Sequence, residues 1–191
     1  MAWKNEQVSE LETAKIIELA REVISCEGDL VELGCYRGDT SLLLAEVLRD
    51  TKKKLWIYDS FEGLPEKSEA DKSILGMNFK GGELYVTKRE VKERFLRAGL
   101  PVPVIKKAWF SDLSEIDLPE RIALAFLDGD FYESIKDSLK LIENKMSEGG
   151  IIIVHDYNNL ALPGVAKAVD EWLFGRKKQV FSCESMIIIK N

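Results

Sequence analysis

"DLVELGCYRGDTSLLL", residues 29–44, runs from an apolar stretch through Gly34 and Gly38 into residues with helical spacing. It reads as strand, turn and helix: "DLVELGC" is strand-sized, and "DTSLLLAEVLRD" returns to a three-to-four repeat. Gly34 suits a positive φ at the strand end. Gly38 lets the backbone approach a ligand or lets the helix pack close. The turn resembles a nucleotide-binding loop, but its spacing is G-x-x-x-G. The third glycine of the dinucleotide fingerprint is missing, and Tyr36 stands where a small residue is common.

Working outward, residues 7–26 read as a helix, with Gly28 as a natural stop. "KKLWIYDS" is a second strand, ending near Asp59. "PVPVIKKAW", "RIALAFLDGD" and "GGIIIVHDY" are strands three to five. "YESIKDSLKLIENKM" and "GVAKAVDEWLFGR" are helices. "QVFSCES" and "SMIIIKN" are two strands close enough to be antiparallel. Strands alternating with helices predict an α/β, Rossmann-like fold, a mostly parallel seven-stranded sheet with one antiparallel strand and helices on both faces. Residues 1–191 form one domain, with residues 1–28 as an N-terminal helical segment. Residues 61–86 are polar, weakly periodic and contain four glycines. Long loops in compact domains are often lids, so this segment is expected to be a mobile lid, the alternative being a passive insertion.

The 191 residues, 46% hydrophobic, suit a single core. A net charge of −6 and a pI near 5.1 argue against nucleic acid or an anionic membrane as partner. The basic runs 52–54 and 176–178 sit at expected element ends and read as solvated edges. Cys26, Cys35 and Cys183 have no paired or metal-type spacing. With no apolar leader and no membrane-length run, the expected location is a reduced, cytoplasmic one. A homo-oligomer is compatible with all of this.

In open parallel sheets the ligand lies at the carboxyl ends of the strands, near the reversal of strand order. Glu32, just before Gly34, would repel a pyrophosphate there and suits a cationic group such as an α-amino group. Asp59 is placed to accept hydrogen bonds from ribose hydroxyls. An amino acid joined to a nucleoside is S-adenosylmethionine. The plainer readings are a solvated strand-end acid for Glu32, a turn cap into "SFEG" for Asp59, and ordinary turn glycines.

In order along the chain stand "VELGCYRGDTS", "YDSFEGLP", "AWFSDL", "AFLDGDFYESIKDSL", "GGIIIVHDY" and "GVAKAVDEW". Together they resemble the macrocin O-methyltransferase family, which methylates sugar hydroxyls of natural products. The resemblance covers about residues 29–173. It implies a class I methyltransferase fold, S-adenosylmethionine, and a divalent metal held by acids. By position, Glu32, Gly34, Gly38 and Ser41 would serve the methionine part of the cofactor, and Asp59 and Ser60 the ribose. Trp109 and Phe110 would lie near the adenine, with Asp112 beside it. Asp128, His155 and Asp156 would surround the metal, magnesium or manganese. Trp109 also reads as a core aromatic at the sheet edge. The family usually has two adjacent acids where this chain has His155 and Asp156. The N-terminal segment is also short for the family.

Carboxylates suit hard cations, and an imidazole among them shifts preference toward manganese, iron or zinc. Asp130 or His155 would take the proton of a small-molecule acceptor hydroxyl, and Asp128, beside them at the metal, completes the catalytic set. His155, the sole histidine, reads equally as a satisfied strand-end residue. Catechol-type enzymes carry a lysine just after the strand-four acid, whereas Gly129, Asp130, Phe131 and Tyr132 follow here. An NAD-dependent oxidoreductase is disfavoured by the glycine spacing and because no lysine follows Tyr132 before Lys136. A non-catalytic S-adenosylmethionine-binding module would keep the glycine loop but lose the metal acids.

Overall fold

The computed structural model describes residues 7–73, 75, 76 and 79–191. Its strands are β1 (Asp29–Leu33), β2 (Leu55–Asp59), β3 (Val104–Lys107), β4 (Ile122–Leu127), β5 (Met146–Val154), β6 (Gln179–Cys183) and β7 (Met186–Lys190). They form one seven-stranded sheet in the order β3-β2-β1-β4-β5-β7-β6. The first five strands pair in parallel. β7 runs antiparallel to both β5 and β6. This is the mostly parallel sheet with a single reversed strand that the sequence predicts.

Period-two alternation decides which residues serve each face. Leu30, Leu124, Phe126, Ile151 and Ile153 point into one core, with Ile16 and Leu19 of α1 (Glu10–Glu22), Leu42 of α2 (Asp39–Leu48), and Val91 and Phe95 of α3 (Lys88–Ala98). Val31, Leu33, Ala125, Leu127, Ile152 and Val154 point into the other. There they meet Ile135 and Leu139 of α4 (Tyr132–Ile142) and Val165 and Val169 of α5 (Pro163–Leu173). Burial on both sides explains why β4 is apolar throughout.

The structure adds one element that the pattern reading passes over. α3 is sparsely apolar, burying only Val91 and Phe95, but its ends are well marked. Thr87 and Glu90 form a capping box, and Gly99 ends it at φ 65°. The predicted helix 7–26 resolves into α1 and a short 3-10 turn, Val23–Ser25. β5 starts three residues before the predicted stretch "GGIIIVHDY", because Met146 already pairs with Ile122.

Residues 61–86 close on themselves. The Leu64 amide donates to the Glu83 carbonyl (2.8 Å), and the Gly82 amide donates back to Leu64 (2.9 Å). Buried Asp71 accepts from the Tyr132 amide at the start of α4 (2.7 Å) and from the Ser68 amide and hydroxyl (2.9 and 2.6 Å). The Ser73 hydroxyl donates to the Leu160 carbonyl. Ile74, Met77 and Asn78 of the expected lid lie outside the described residues. Among the described residues no helix is long and apolar enough to cross a membrane, and the three cysteines are unpaired.

Candidate active site

Parallel strands β1, β2, β4 and β5 all end at one edge of the sheet, where the order turns from β1 to β4. A cavity of about 460 Å³ opens there. This is the switch point at which open α/β sheets bind ligands, and the size suits a small molecule. Left-handed backbone gathers around it. Tyr36 (φ 44°), Leu84 (59°), Asp130 (60°) and Asp156 (59°) all line the cavity, and Phe61 (51°) follows Ser60 of its wall. Such conformations are costly for non-glycine residues and concentrate at functional sites.

Asp59 fastens the glycine loop. Its Oδ2 accepts from the amides of Cys35 (2.9 Å) and Tyr36 (3.4 Å), and its Oδ1 from the Phe61 amide (2.7 Å). The turn-cap reading is therefore observed. Three of about four acceptor positions are filled, and one is left for a ligand on the cavity wall. Ser60, also on the wall, accepts from the Glu62 amide and donates to the Gly63 carbonyl. Gly34 (φ 89°) is required by packing, since a Cβ there would lie 2.1 Å from the Asp128 carbonyl oxygen.

Glu32, Gly38 and Ser41 are placed behind the cavity wall rather than on it. Glu32 is sealed under the loop and accepts from the Ser41 hydroxyl. Burial, joined by the charges of Asp128, Asp59 and Asp39, outweighs that hydrogen bond and lifts its pKa to about 8. Glu32 is 1% exposed. An alternating strand puts the second residue before Gly34 inside the sheet layer, not at its rim. Gly38 is the N-cap of α2 at φ 80°. Trp109, Phe110 and Ser111 do line the cavity, whereas Asp112 points to solvent from the same short turn.

Asp128 and Asp130, after β4, meet His155 and Asp156, after β5. His155 Nδ1 is 2.9 Å from an Asp128 oxygen and 3.1 Å from Asp156, and its Nε2 is 3.8 Å from Glu12 of α1. Asp128, His155 and Asp156 offer donor atoms within 4.8 Å of one another. Burial alone would favour the neutral ring. With no cation between them, the charge of Asp128, then the hydrogen bonds with Asp128, Asp156 and Glu12, reverse this and raise the imidazole pKa. Both ring nitrogens thus face carboxylates, Nδ1 those of Asp128 and Asp156 and Nε2 that of Glu12. Asp130 lines the cavity. Burial first, then the charges of Asp128 and Asp156, push its pKa far up.

Glu12 is the residue that pattern reading missed. Its signal was the S-x-x-E capping box, which explains it as a helix cap. Nothing local tells that its carboxylate also reaches His155, 143 positions further along. The segment 61–86 contributes Leu64, Pro65, Glu66, Asp71, Phe79 and Leu84 to the wall. Among the described residues, eight that line the cavity are Asp or Glu, and none is Lys or Arg. Tyr132 and Lys136, weighed against the oxidoreductase reading, lie on the outer face of α4 and do not line the cavity. There the Tyr132 hydroxyl donates to Glu171 and Lys136 stacks on the ring.

Comparison with known proteins gives the same picture. The family model described as Macrocin-O-methyltransferase (TylF) matches residues 7–183. The 8-demethyl-8-(2,3-dimethoxy-alpha-L-rhamnosyl)-tetracenomycin-C 4'-O-methyltransferase of Streptomyces olivaceus is 38% identical over 138 residues, 68% of this chain and 53% of that protein. The demethyldecarbamoylnovobiocin O-methyltransferase of Streptomyces niveus is 33% identical over 153 residues, 76% of this chain and 58% of that protein. The chain thus spans a little over half the length of these relatives. Among solved structures, the O-methyltransferase NovP superposes with a TM-score of 0.82 at 28% identity, over 94% of this chain and 78% of that one. A model match over almost the whole chain, the sheet order and the site at its switch point lead to one conclusion: this chain belongs to the macrocin O-methyltransferase family.

Proposed function

We propose that the protein transfers a methyl group from S-adenosylmethionine to a hydroxyl of a sugar-bearing small molecule, assisted by a divalent cation. The observation that carries this reading is the charge of the cavity, lined among the described residues by eight carboxylate residues without a Lys or Arg. That wall favours a sulfonium, an ammonium and a metal ion, and disfavours a dinucleotide pyrophosphate. The Streptomyces olivaceus relative, named for O-methylation of a rhamnosyl-bearing compound, supports the acceptor class.

Bound S-adenosylmethionine supplies a methyl group that is already activated, so the chain must align an acceptor oxygen, hold its proton and keep water out. Alignment alone contributes roughly 7 kcal/mol or more in well-oriented systems. Asp59 and Ser60 hold the ribose end, and Trp109 and Phe110 flank the base. The lid wall, with Phe79 and Leu84, excludes water. Asp128, His155 and Asp156 fit a divalent ion by donor type and spacing, manganese or magnesium. Such an ion would acidify an acceptor hydroxyl. Asp130 would take that proton as a carboxylate, the form that a cation beside it favours by offsetting the charges of Asp128 and Asp156. It stands on the cavity wall two residues from Asp128, in a backbone conformation that turns it away from the strand.

Incubation with methyl-labelled S-adenosylmethionine, magnesium or manganese, and a panel of glycosylated aglycones tests the proposal. Label is expected in a sugar-bearing acceptor, and loss of label is expected on exhaustive chelation. Cofactor binding without transfer to any hydroxyl compound would instead favour a non-catalytic binding module.

A further inference from the structure

We propose that Glu12 is the positioning residue of His155: it holds the Nε2–H tautomer, so that Nδ1 points at the ion. This rests on the reading of Asp128, His155 and Asp156 as a metal site. The sequence departs from two adjacent acids at that point, and an imidazole ligand has a problem that a carboxylate lacks. It offers one lone pair, and the wrong tautomer covers it with a proton. A metal-bound histidine accordingly gives its other N–H to a fixed acceptor.

The structure supplies that acceptor on the correct side. Nδ1 lies between the other two ligands, 2.9 Å from Asp128 and 3.1 Å from Asp156. On the far side Nε2 faces the Glu12 carboxylate at 3.8 Å, within ion-pair reach and a short adjustment from a hydrogen bond. Both groups are buried, Glu12 at 3% and His155 at 5% exposure. Glu12 is itself locked. Its Oε2 accepts from the Ser9 amide (3.0 Å), and its Oε1 from the Ser185 amide (2.9 Å) and hydroxyl (2.5 Å). Ser185 sits in the turn joining β6 to β7, so helix α1 and the C-terminal hairpin are both tied to the rear of the site.

The test uses Mn2+ alone as probe, on the full chain without a histidine tag. Wild type is expected to bind Mn2+, read by electron paramagnetic resonance or calorimetry. Glu12→Gln keeps an amide oxygen for Ser185 but presents an N–H to Nε2, and is expected to bind Mn2+ 10- to 100-fold more weakly, the usual loss for such a partner. In a His155→Asp background the same change should have little effect, because a carboxylate has no tautomer to set. Since the chain has a single histidine, nitrogen-15 NMR of the Mg2+-loaded wild type reads its tautomer without assignment, even if Glu12→Gln fails to fold. A proton on Nε2 is expected. Wild-type Mn2+ binding with a proton on Nδ1, or with equal affinity in Glu12→Gln, overturns the role of Glu12. Absence of Mn2+ binding in wild type overturns the metal reading itself.

Discussion

Glu32 is sealed beneath the loop after β1, where burial and neighbouring carboxylates raise its pKa from 4.5 to about 8. An acid with a raised folded pKa binds a proton in the native state that the unfolded chain has already released. Stability therefore falls as pH rises from about 4.5 to about 8, and levels off above that window. At about 1.4 kcal/mol per pKa unit the effect is on the order of a few kcal/mol. Glu32→Gln keeps the partner for Ser41 and should flatten this slope, leaving the variant more stable than wild type at pH 8. Denaturant melts of both proteins at pH 5, 6.5 and 8 check it, and parallel curves would show that Glu32 is not buried as an acid. Asp59→Ala should weaken cofactor binding and also release the amides of Cys35 and Tyr36. Bonds to a charged acceptor contribute about 1.5–3 kcal/mol each, so a loss of at least tenfold in affinity is expected by calorimetry. His155→Asp should move metal preference from manganese toward magnesium, since a third carboxylate hardens the site. Comparative Mg2+ and Mn2+ titrations read this directly.

At the scale of elements, the segment 61–86 forms a cavity wall fixed at defined points, chiefly at Asp71. Its carboxylate takes three hydrogen bonds, two from Ser68 and one from the first residue of α4. Asp71→Ala should leave a buried backbone N–H of Tyr132 unpaired and cost about 1–3 kcal/mol. It should also raise hydrogen exchange across 61–73 more than elsewhere. Between those points the segment is expected to gain protection when S-adenosylhomocysteine binds, and equal exchange with and without ligand would make it a passive wall. The same elements show what a sequence can tell. Strands β1, β2, β4 and β5 and helices α4 and α5 were legible because strong periodicity or unbroken apolarity reports burial locally. α3 was not, because its stripe is just Val91 and Phe95 amid charged residues. The early start of β5 was hidden by "SEGG", which reads as a turn although the pairing of Met146 with Ile122 carries the strand through it.

For the whole molecule, the loops after four strands converge on one anionic cavity. Asp59, Asp128, His155 and Asp156 were visible in sequence because each immediately ends or follows a predicted strand, and the switch point gathers strand ends. Whether a side chain lines the cavity or supports it from behind was not visible, as Glu32, Ser41 and Glu12 show. That depends on pleat direction and on contacts between residues more than a hundred positions apart. The central claim is that this cavity is built for a cationic adenosyl amino acid and not for a dinucleotide. Isothermal titration calorimetry of the protein with S-adenosylmethionine, S-adenosylhomocysteine and NAD tests it most directly. Both adenosyl compounds should bind in the micromolar range, a free energy of about −8 kcal/mol, while NAD gives no heat. Tight binding of NAD, or no binding of either adenosyl compound, would contradict the account.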